Sequence, residues 1–258
     1  MSNTVKRIKT KSSLTIAALS VALGLAESYP VAAAQENERM SEASTTSVSE
    51  TLSVRQQTIV PVAAFAAVGD IASLNAALHQ GLDDGMTISD AREVLVQLYA
   101  YAGFPRSLNA LAELMKVVQA RKANGMKDAP GSEPSHPVPK GDALLAAGTE
   151  NQTRLAGAVV AGPLFDFAPA ANEYLRSHLF GGIFERDNLD WQSRELATIS
   201  ILAVLPGAEP QLQAHMGMSM NAGVSVAQLR QLNRLLAERV STEAAGRARV
   251  ALDRHLAG

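Results

Sequence analysis

The chain of 258 residues contains no cysteine. This absence excludes disulfide bonds as a source of stability, and it excludes catalysis by a thiol. Aromatic residues are also scarce, with one tryptophan, four tyrosines and six phenylalanines. Any enzymatic chemistry must therefore come from carboxylate, imidazole, guanidinium or hydroxyl groups.

An excess of basic residues is also missing. The formal net charge is -2, and this total already includes a basic N-terminal segment. No basic stripe follows that segment, which argues against a nucleic-acid partner. The five histidines form no HxH or HExxH pattern. Nothing in the sequence therefore indicates a metal site, and no cofactor is expected.

The first 34 residues have the pattern of an export signal. Basic residues lie between positions 6 and 11, an apolar run occupies 14–25, and three alanines precede Gln35. The apolar run is shorter than the roughly 20 residues that a membrane span needs. We predict cleavage after Ala34 and export, most simply to a bacterial periplasm, with no stable membrane association afterwards. The polar segment 35–54 is predicted to be a flexible leader.

The rest of the chain has apolar residues at helical spacing and no convincing alternating strand pattern. Glycines and prolines at 124–140 predict a linker, and 141–190 is an approach segment to the final helices. Alanine-rich helix faces predict close packing, so the predicted fold class is all-α, a helical bundle with short connections. The predicted helices lie at about 55–68, 71–83, 88–102, 106–122, 191–204, 210–221, 226–238 and 241–256.

An internal repeat is visible within this helical region. A shift of 138 residues pairs Gly69 with Gly207, Leu74 with Leu212, Ala76 with Ala214 and Gly85 with Gly223. We therefore predict a tandem duplication. Its parts are a first repeat at 55–122, a linker at 123–140 and a second repeat, with the candidate site, at 141–258.

Glu195 and His215 are the most informative residues of the chain, because they place a carboxylate and an imidazole on consecutive, otherwise apolar helices. Gln57 and Ala77 hold the same positions in the first repeat, so only the second repeat carries this pair. Glu195 lies about ten residues before the turn at 206–210 and His215 about six after it. At about 1.5 Å per residue, the two are offset by roughly 6 Å. Direct contact would need helix tilt or a bridging water, and contact across a subunit boundary is an equal alternative.

At these positions the chain resembles the carboxymuconolactone decarboxylase family, whose fold is shared with the AhpD alkylhydroperoxidases. The resemblance covers roughly 55–122 and 175–240. It implies an AhpD-like bundle that assembles into trimers or hexamers with sites near subunit contacts, and a trimer of tandem units in this case. The matching words are residues 93–105 and 109–110, Arg186-Asp187-Asn188-Leu189, Arg194-Glu195-Leu196, Gln211-Leu212, His215 and Asn221-Ala222-Gly223-Val224-Ser225.

The peroxidase branch of this family uses a Cys-x-x-Cys-x-x-x-His motif with an upstream glutamate. Aligning His215 with that histidine places Ala208 and Gln211 at the cysteine positions. An AhpD-like hydroperoxidase activity is therefore disfavoured. The decarboxylase branch implies a lyase that acts, without a cofactor, on a small cyclic or unsaturated carboxylic acid.

Candidate site residues follow from the needs of such a decarboxylation. His215 is the candidate acid, because an imidazole titrates near neutrality, and Glu195 would orient it or relay the proton. Arg194 or Arg186 would bind the anionic substrate in bidentate fashion. Further candidates for substrate binding are Tyr101, His178, Phe184 and Trp191, the last two as walls of an apolar pocket.

Each of these residues also has a purely structural interpretation. Arg194 and Glu195 could simply compensate the dipole at a helix start, His215 could be a core histidine, and the aromatic residues could dock the approach segment onto the bundle. The alternative function is accordingly a non-catalytic ligand-binding or assembly protein on the same fold. The missing acid/base pair in the first repeat favours that alternative.

Overall fold

A computed structural model describes residues 50–258, and the predicted export signal and the leader up to residue 49 lie outside these described residues. The described region is helical and contains no strand, which confirms the all-α prediction. One nine-residue segment, Leu175–Ile183, is a π-helix. The α-helices are α1 (Val54–Val68), α2 (Ile71–Asp83), α3 (Ile88–Gln97), α4 (Tyr99–Ala102), α5 (Phe104–Ala123), α6 (Asp142–Ala156), α7 (Pro163–Phe167), α8 (Pro169–Tyr174), α9 (Trp191–Ala203), α10 (Glu209–Asn221), α11 (Val226–Arg239) and α12 (Thr242–Leu256).

Helix α9 lies at the centre of the bundle. Every residue from Ser193 to Ala203 is buried, so this helix has no solvent face. Helix α1 packs along it and contributes Ile59, Val60 and Val62 to the same core. The residues Arg194, Glu195 and Thr198 are therefore polar groups inside the main core, where each needs a partner.

The helices before and after the linker pack in matching pairs. Helix α2 packs on α1 and α5, and α3 packs on α5; likewise α10 packs on α9 and α12, and α11 packs on α12. The starts of α2, α3 and α5 precede those of α10, α11 and α12 by 138 residues each (71 to 209, 88 to 226 and 104 to 242). Thr87 and Ser225 cap α3 and α11 with the same capping box.

The approach segment contains more regular structure than the sequence pattern indicates. Helix α6 and the π-helix pack tightly against each other through two glycines. A Cβ atom on Gly148 would lie 1.8 Å from the carbonyl oxygen of Arg176, and one on Gly181 would lie 2.9 Å from that of Leu144. Only glycine at these positions allows the two backbones to approach so closely.

The end of the predicted leader is packed, which corrects the prediction of flexibility for residues 50–54. Leu52 is buried, and its N–H donates to Oε1 of Gln231, 2.8 Å away. Ser53 caps α1. Apolar burial and helix capping thus fix this part of the chain against α11. None of the helices within residues 50–258 is long and apolar enough to cross a membrane.

Candidate active site

Glu195 of α9 and His215 of α10 meet directly within one chain. Nδ1 of His215 lies 2.8 Å from Oε2 of Glu195. The two helices pack side by side and are joined by the short turn between Ala203 and Glu209. Among the geometries open to the sequence, the structure has direct contact, with neither a bridging group nor a second subunit.

The actual helix boundaries explain this contact. Glu195 precedes the last residue of α9, Ala203, by eight residues, and His215 follows the first residue of α10, Glu209, by six. The difference of two residues is an axial offset of about 3 Å. The roughly 6 Å offset predicted from the sequence was too large because α9 ends earlier than the turn residues suggest. The two side chains span the remaining distance.

Burial divides the pair into an internal carboxylate and an imidazole near the surface. The Glu195 side chain is 0 % exposed, whereas the His215 side chain is 8 % exposed. With Nδ1–H donated to the carboxylate, Nε2 is the nitrogen of His215 that remains free to exchange a proton. Oε1 of Glu195 is buried and has no hydrogen-bond partner among residues 50–258. Such an oxygen is costly to bury, which marks the site as functional rather than purely structural.

Tyr101 of α4 closes one side of the pair. Its ring packs edge-on against the His215 ring, with centroids 5.8 Å apart. Its hydroxyl lies 3.1 Å from Oγ1 of Thr198, which also accepts from the side-chain amide of Gln97. Burial, with a smaller contribution from the charge of Glu195, raises the pKa of Tyr101. The phenol is therefore neutral and serves as a fixed hydrogen-bonding group beside the imidazole.

A second buried charge cluster lies next to the pair and is centred on Glu93 of α3. Its carboxylate accepts two hydrogen bonds from Arg186, at 2.6 and 2.9 Å, and one from Arg194 at 3.1 Å. Burial acts to raise the pKa of Glu93, but hydrogen bonds from Arg186 and Asn188 and the charge of Arg194 outweigh it and lower it to about 2. Conversely, the hydrogen bond to Glu93 raises the pKa of Arg186.

This cluster occupies both arginines that the sequence suggested as substrate ligands. Arg194 is completely buried, and it donates to Glu93, Gln97 and the carbonyl of Arg186. Arg186 is held in bidentate fashion by Glu93. An incoming carboxylate would have to displace Glu93, so neither arginine is placed to bind substrate. Their physical role is to balance a buried carboxylate and tie α3 to α9.

The remaining predicted substrate ligands are spread over the approach segment. His178 is exposed and stacks loosely on Tyr174, with ring centroids 5.4 Å apart. Phe184 is buried in a satellite cluster with Phe180, and Trp191 donates its indole N–H to the carbonyl of Phe184. These contacts fit docking of the approach segment, with Tyr101 alone bridging this cluster and the acid/base pair.

Glu93, Gln97 and Thr198 take part in the site's network although sequence reasoning did not single them out. Glu93, Gln97 and Tyr101 are spaced by four residues, as are Arg194 and Thr198, which places each set on one helix face. The side-chain amide of Gln97 joins the faces by donating to Thr198 and to the carbonyl of Arg194. Polar residues at this spacing in otherwise apolar helices were the available signal.

Four surface cavities are found in the described region, and neither Glu195 nor His215 lines any of these four. The largest, about 760 Å³, lies along α6 and includes Arg154 and Arg176. Within residues 50–258, no three His, Asp or Glu side chains are grouped so as to hold a metal ion.

Comparison with known proteins places the pair inside a family match. Residues 169–254, about a third of the chain, match the model of the carboxymuconolactone decarboxylase family. The match runs from α8 into α12 and includes both Glu195 and His215. No curated protein is similar enough to the chain to count as a match. The second half of the bundle is thus related to this family, and the comparison names no reaction for the chain.

Proposed function

We propose that the chain is a lyase of the carboxymuconolactone decarboxylase type, which acts on a small cyclic or unsaturated carboxylic acid by acid/base chemistry without a cofactor. The family match across α9 and α10 supports the reaction class. The observation that carries the proposal is the buried contact between Glu195 and His215, with the second carboxylate oxygen left without a partner in residues 50–258.

His215 is the proton donor in this proposal. The bond between the substrate's carboxylate and its neighbouring carbon breaks, carbon dioxide leaves, and the electron pair moves into a conjugated carbonyl to give an enolate. The enolate carbon then takes a proton from Nε2 of protonated His215, which water reprotonates. Glu195 favours the protonated imidazole and fixes its orientation, as a carboxylate does for a catalytic histidine in other folds.

Tyr101 is a positioning residue in the same proposal. Its ring limits rotation of the His215 ring, and its hydroxyl is held by Thr198. Replacing Tyr101 by phenylalanine would keep the ring and remove only the hydroxyl. A difference between Tyr101→Phe and the wild type would therefore measure the hydroxyl's contribution alone.

The test is release of carbon dioxide from a panel of unsaturated and lactone carboxylic acids. We expect His215→Gln to lower kcat by about 10²–10⁴, the usual contribution of a positioned acid or base, and Glu195→Gln to lower kcat by a smaller factor. His136→Gln is the matched control, because His136 is half-exposed and lies beside Asp187 at the surface. Turnover by His215→Gln at the wild-type rate would contradict the proposal.

Non-catalytic ligand binding or assembly is the second candidate, favoured by the absence of Glu195 and His215 from the linings of the four cavities above. A binding protein would retain ligand in the His215→Gln variant. An enzyme would retain ligand as well but lose turnover, so the two readouts together separate the candidates.

Tandem duplication, export and self-assembly complete the proposal. The 138-residue register of helix starts supports duplication. Exposed apolar side chains at Phe104, Leu108 and Phe167 support assembly into a trimer of tandem units. Light scattering coupled to size-exclusion chromatography tests the trimer, and a monomer would refute it. Fractionation of bacterial cells tests export.

A further inference from the structure

A cavity of about 520 Å³ lies between α1 and α2, on the part of the bundle that carries no acid/base pair. Its walls include the apolar side chains of Pro61, Phe65 and Ala77, and Gly81 leaves further room. This volume falls within the range of about 300–1,000 Å³ that is typical of small-molecule sites. The cavity is therefore large enough for a ring or a short branched chain.

The cavity corresponds, in the 138-residue register, to the position of the Glu195–His215 pair. Ala77 corresponds to His215, Gly81 to Ser219, and Gln80 to Met218. The covering residue corresponds too: Arg239 of α11 lines this cavity, just as Tyr101, 138 residues earlier, contacts His215. The smaller side chains at 77 and 81 leave space here, whereas an imidazole occupies that position in the other half.

The charged groups of the cavity are not used within the protein. Arg239 is exposed and makes no ion pair or side-chain hydrogen bond with the described part of the chain. Asp84, which lines the cavity as well, has no side-chain partner in residues 50–258. The two opposite charges cancel, so a bare inorganic anion gains little here. A ligand must combine an anionic group for the guanidinium with an apolar body for the walls.

We propose that this cavity is a separate binding site for a small carboxylate with an apolar ring or chain, and that Arg239 binds the carboxylate group. The site goes beyond the proposed decarboxylase function, because it lacks any acid/base pair and lies on other helices. The guanidinium donates to the carboxylate in bidentate fashion, while Phe65 and Pro61 contact the apolar body. A hydrogen-bond donor on the ligand would also satisfy Asp84.

Calorimetric titration with benzoate and with benzylamine tests the proposal, since the two probes have similar size and opposite charge. We expect benzoate to bind saturably and more tightly than benzylamine. Arg239→Gln should weaken benzoate binding at least about tenfold, because a charge-assisted hydrogen bond is lost. Ala77→Met, which fills the cavity, should weaken it similarly. Arg234→Gln is the matched control, because Arg234 lies on the same helix and lines a different cavity.

Three results would overturn the proposal: no saturable benzoate binding, tighter binding of benzylamine, or wild-type affinity in Arg239→Gln. Arg239 is exposed, so this variant is not expected to unfold. His215→Gln separates this site from the proposed active site, because it should abolish turnover and leave benzoate affinity at this cavity unchanged. If His215→Gln removes benzoate binding, the ligand occupies the Glu195–His215 site instead.

Discussion

Replacing Glu93 by glutamine tests whether the buried charge cluster beside the active site is held by one carboxylate. Glu93 and Arg194 are both 0 % exposed, and Glu93 is also the bidentate partner of Arg186. Glutamine keeps the shape of the side chain but leaves Arg194 without a counter-charge. Breaking a buried pair in this way costs about 3–5 kcal/mol of the free energy of unfolding at pH 7.

The pKa of Glu93 gives this prediction a characteristic pH dependence. Its pKa is lowered from 4.5 to about 2 in the folded chain. A lowered folded pKa stabilises the protein above the unfolded value, and this stabilisation is lost as pH falls from about 5 towards 2. At about 1.4 kcal/mol for each pH unit between the two pKa values, the loss is about 3 kcal/mol.

Urea unfolding followed by circular dichroism, at several pH values between 7 and 2.5, measures both effects. We expect the gap in stability between the wild type and Glu93→Gln to be largest at pH 7 and to narrow below pH 4.5. Glu133→Gln is the control, because Glu133 pairs with Arg92 at the exposed surface. A Glu93→Gln variant whose stability tracks the wild type in parallel down to pH 2.5 would refute this account.

Two further changes test packing and capping. Gly148→Ala places a Cβ 1.8 Å from the Arg176 carbonyl oxygen, so α6 and the π-helix must separate; limited proteolysis should cut between 157 and 190 faster than in the wild type. Gly246→Ala, with no described atom within 4 Å of its Cβ, should leave the pattern unchanged, and equal cleavage of the two variants would contradict the steric account. Ser225→Ala removes the capping box of α11 and should lower the free energy of unfolding by about 1 kcal/mol in thermal or urea unfolding, whereas an unchanged midpoint would show that the cap contributes nothing.

Helix positions and the acid/base pair could be predicted from the sequence because both depend on local patterns. Apolar periodicity and the glycines at 69, 85, 207 and 223 set the helix boundaries. Helix α6 was missed, since a glycine in mid-helix lowers helix propensity. Its stability depends on contact of Gly148 with the π-helix, which is not visible in the local sequence.

The roles of the two arginines could not be predicted, because their partner is distant in sequence. Glu93 lies 93 residues from Arg186 and 101 from Arg194. An Arg-Glu sequence at a helix start suggests either dipole compensation or substrate binding, and a single sequence does not reveal a third residue that claims both guanidiniums. The polar faces on α3 and α9 indicate only that buried partners must exist.

The two halves of the bundle depend on each other at their functional positions. Tyr101 belongs to the first half yet packs on His215 of the second, and Arg239 belongs to the second half yet lines the cavity beside Ala77 of the first. Each half therefore lacks one wall of its own site when it stands alone. An exchange as small as His215 against Ala77 then converts a filled acid/base position into an open cavity without altering the helices. Two chemically different sites can coexist in one chain because the packing of α1 on α9 keeps both covering residues in place.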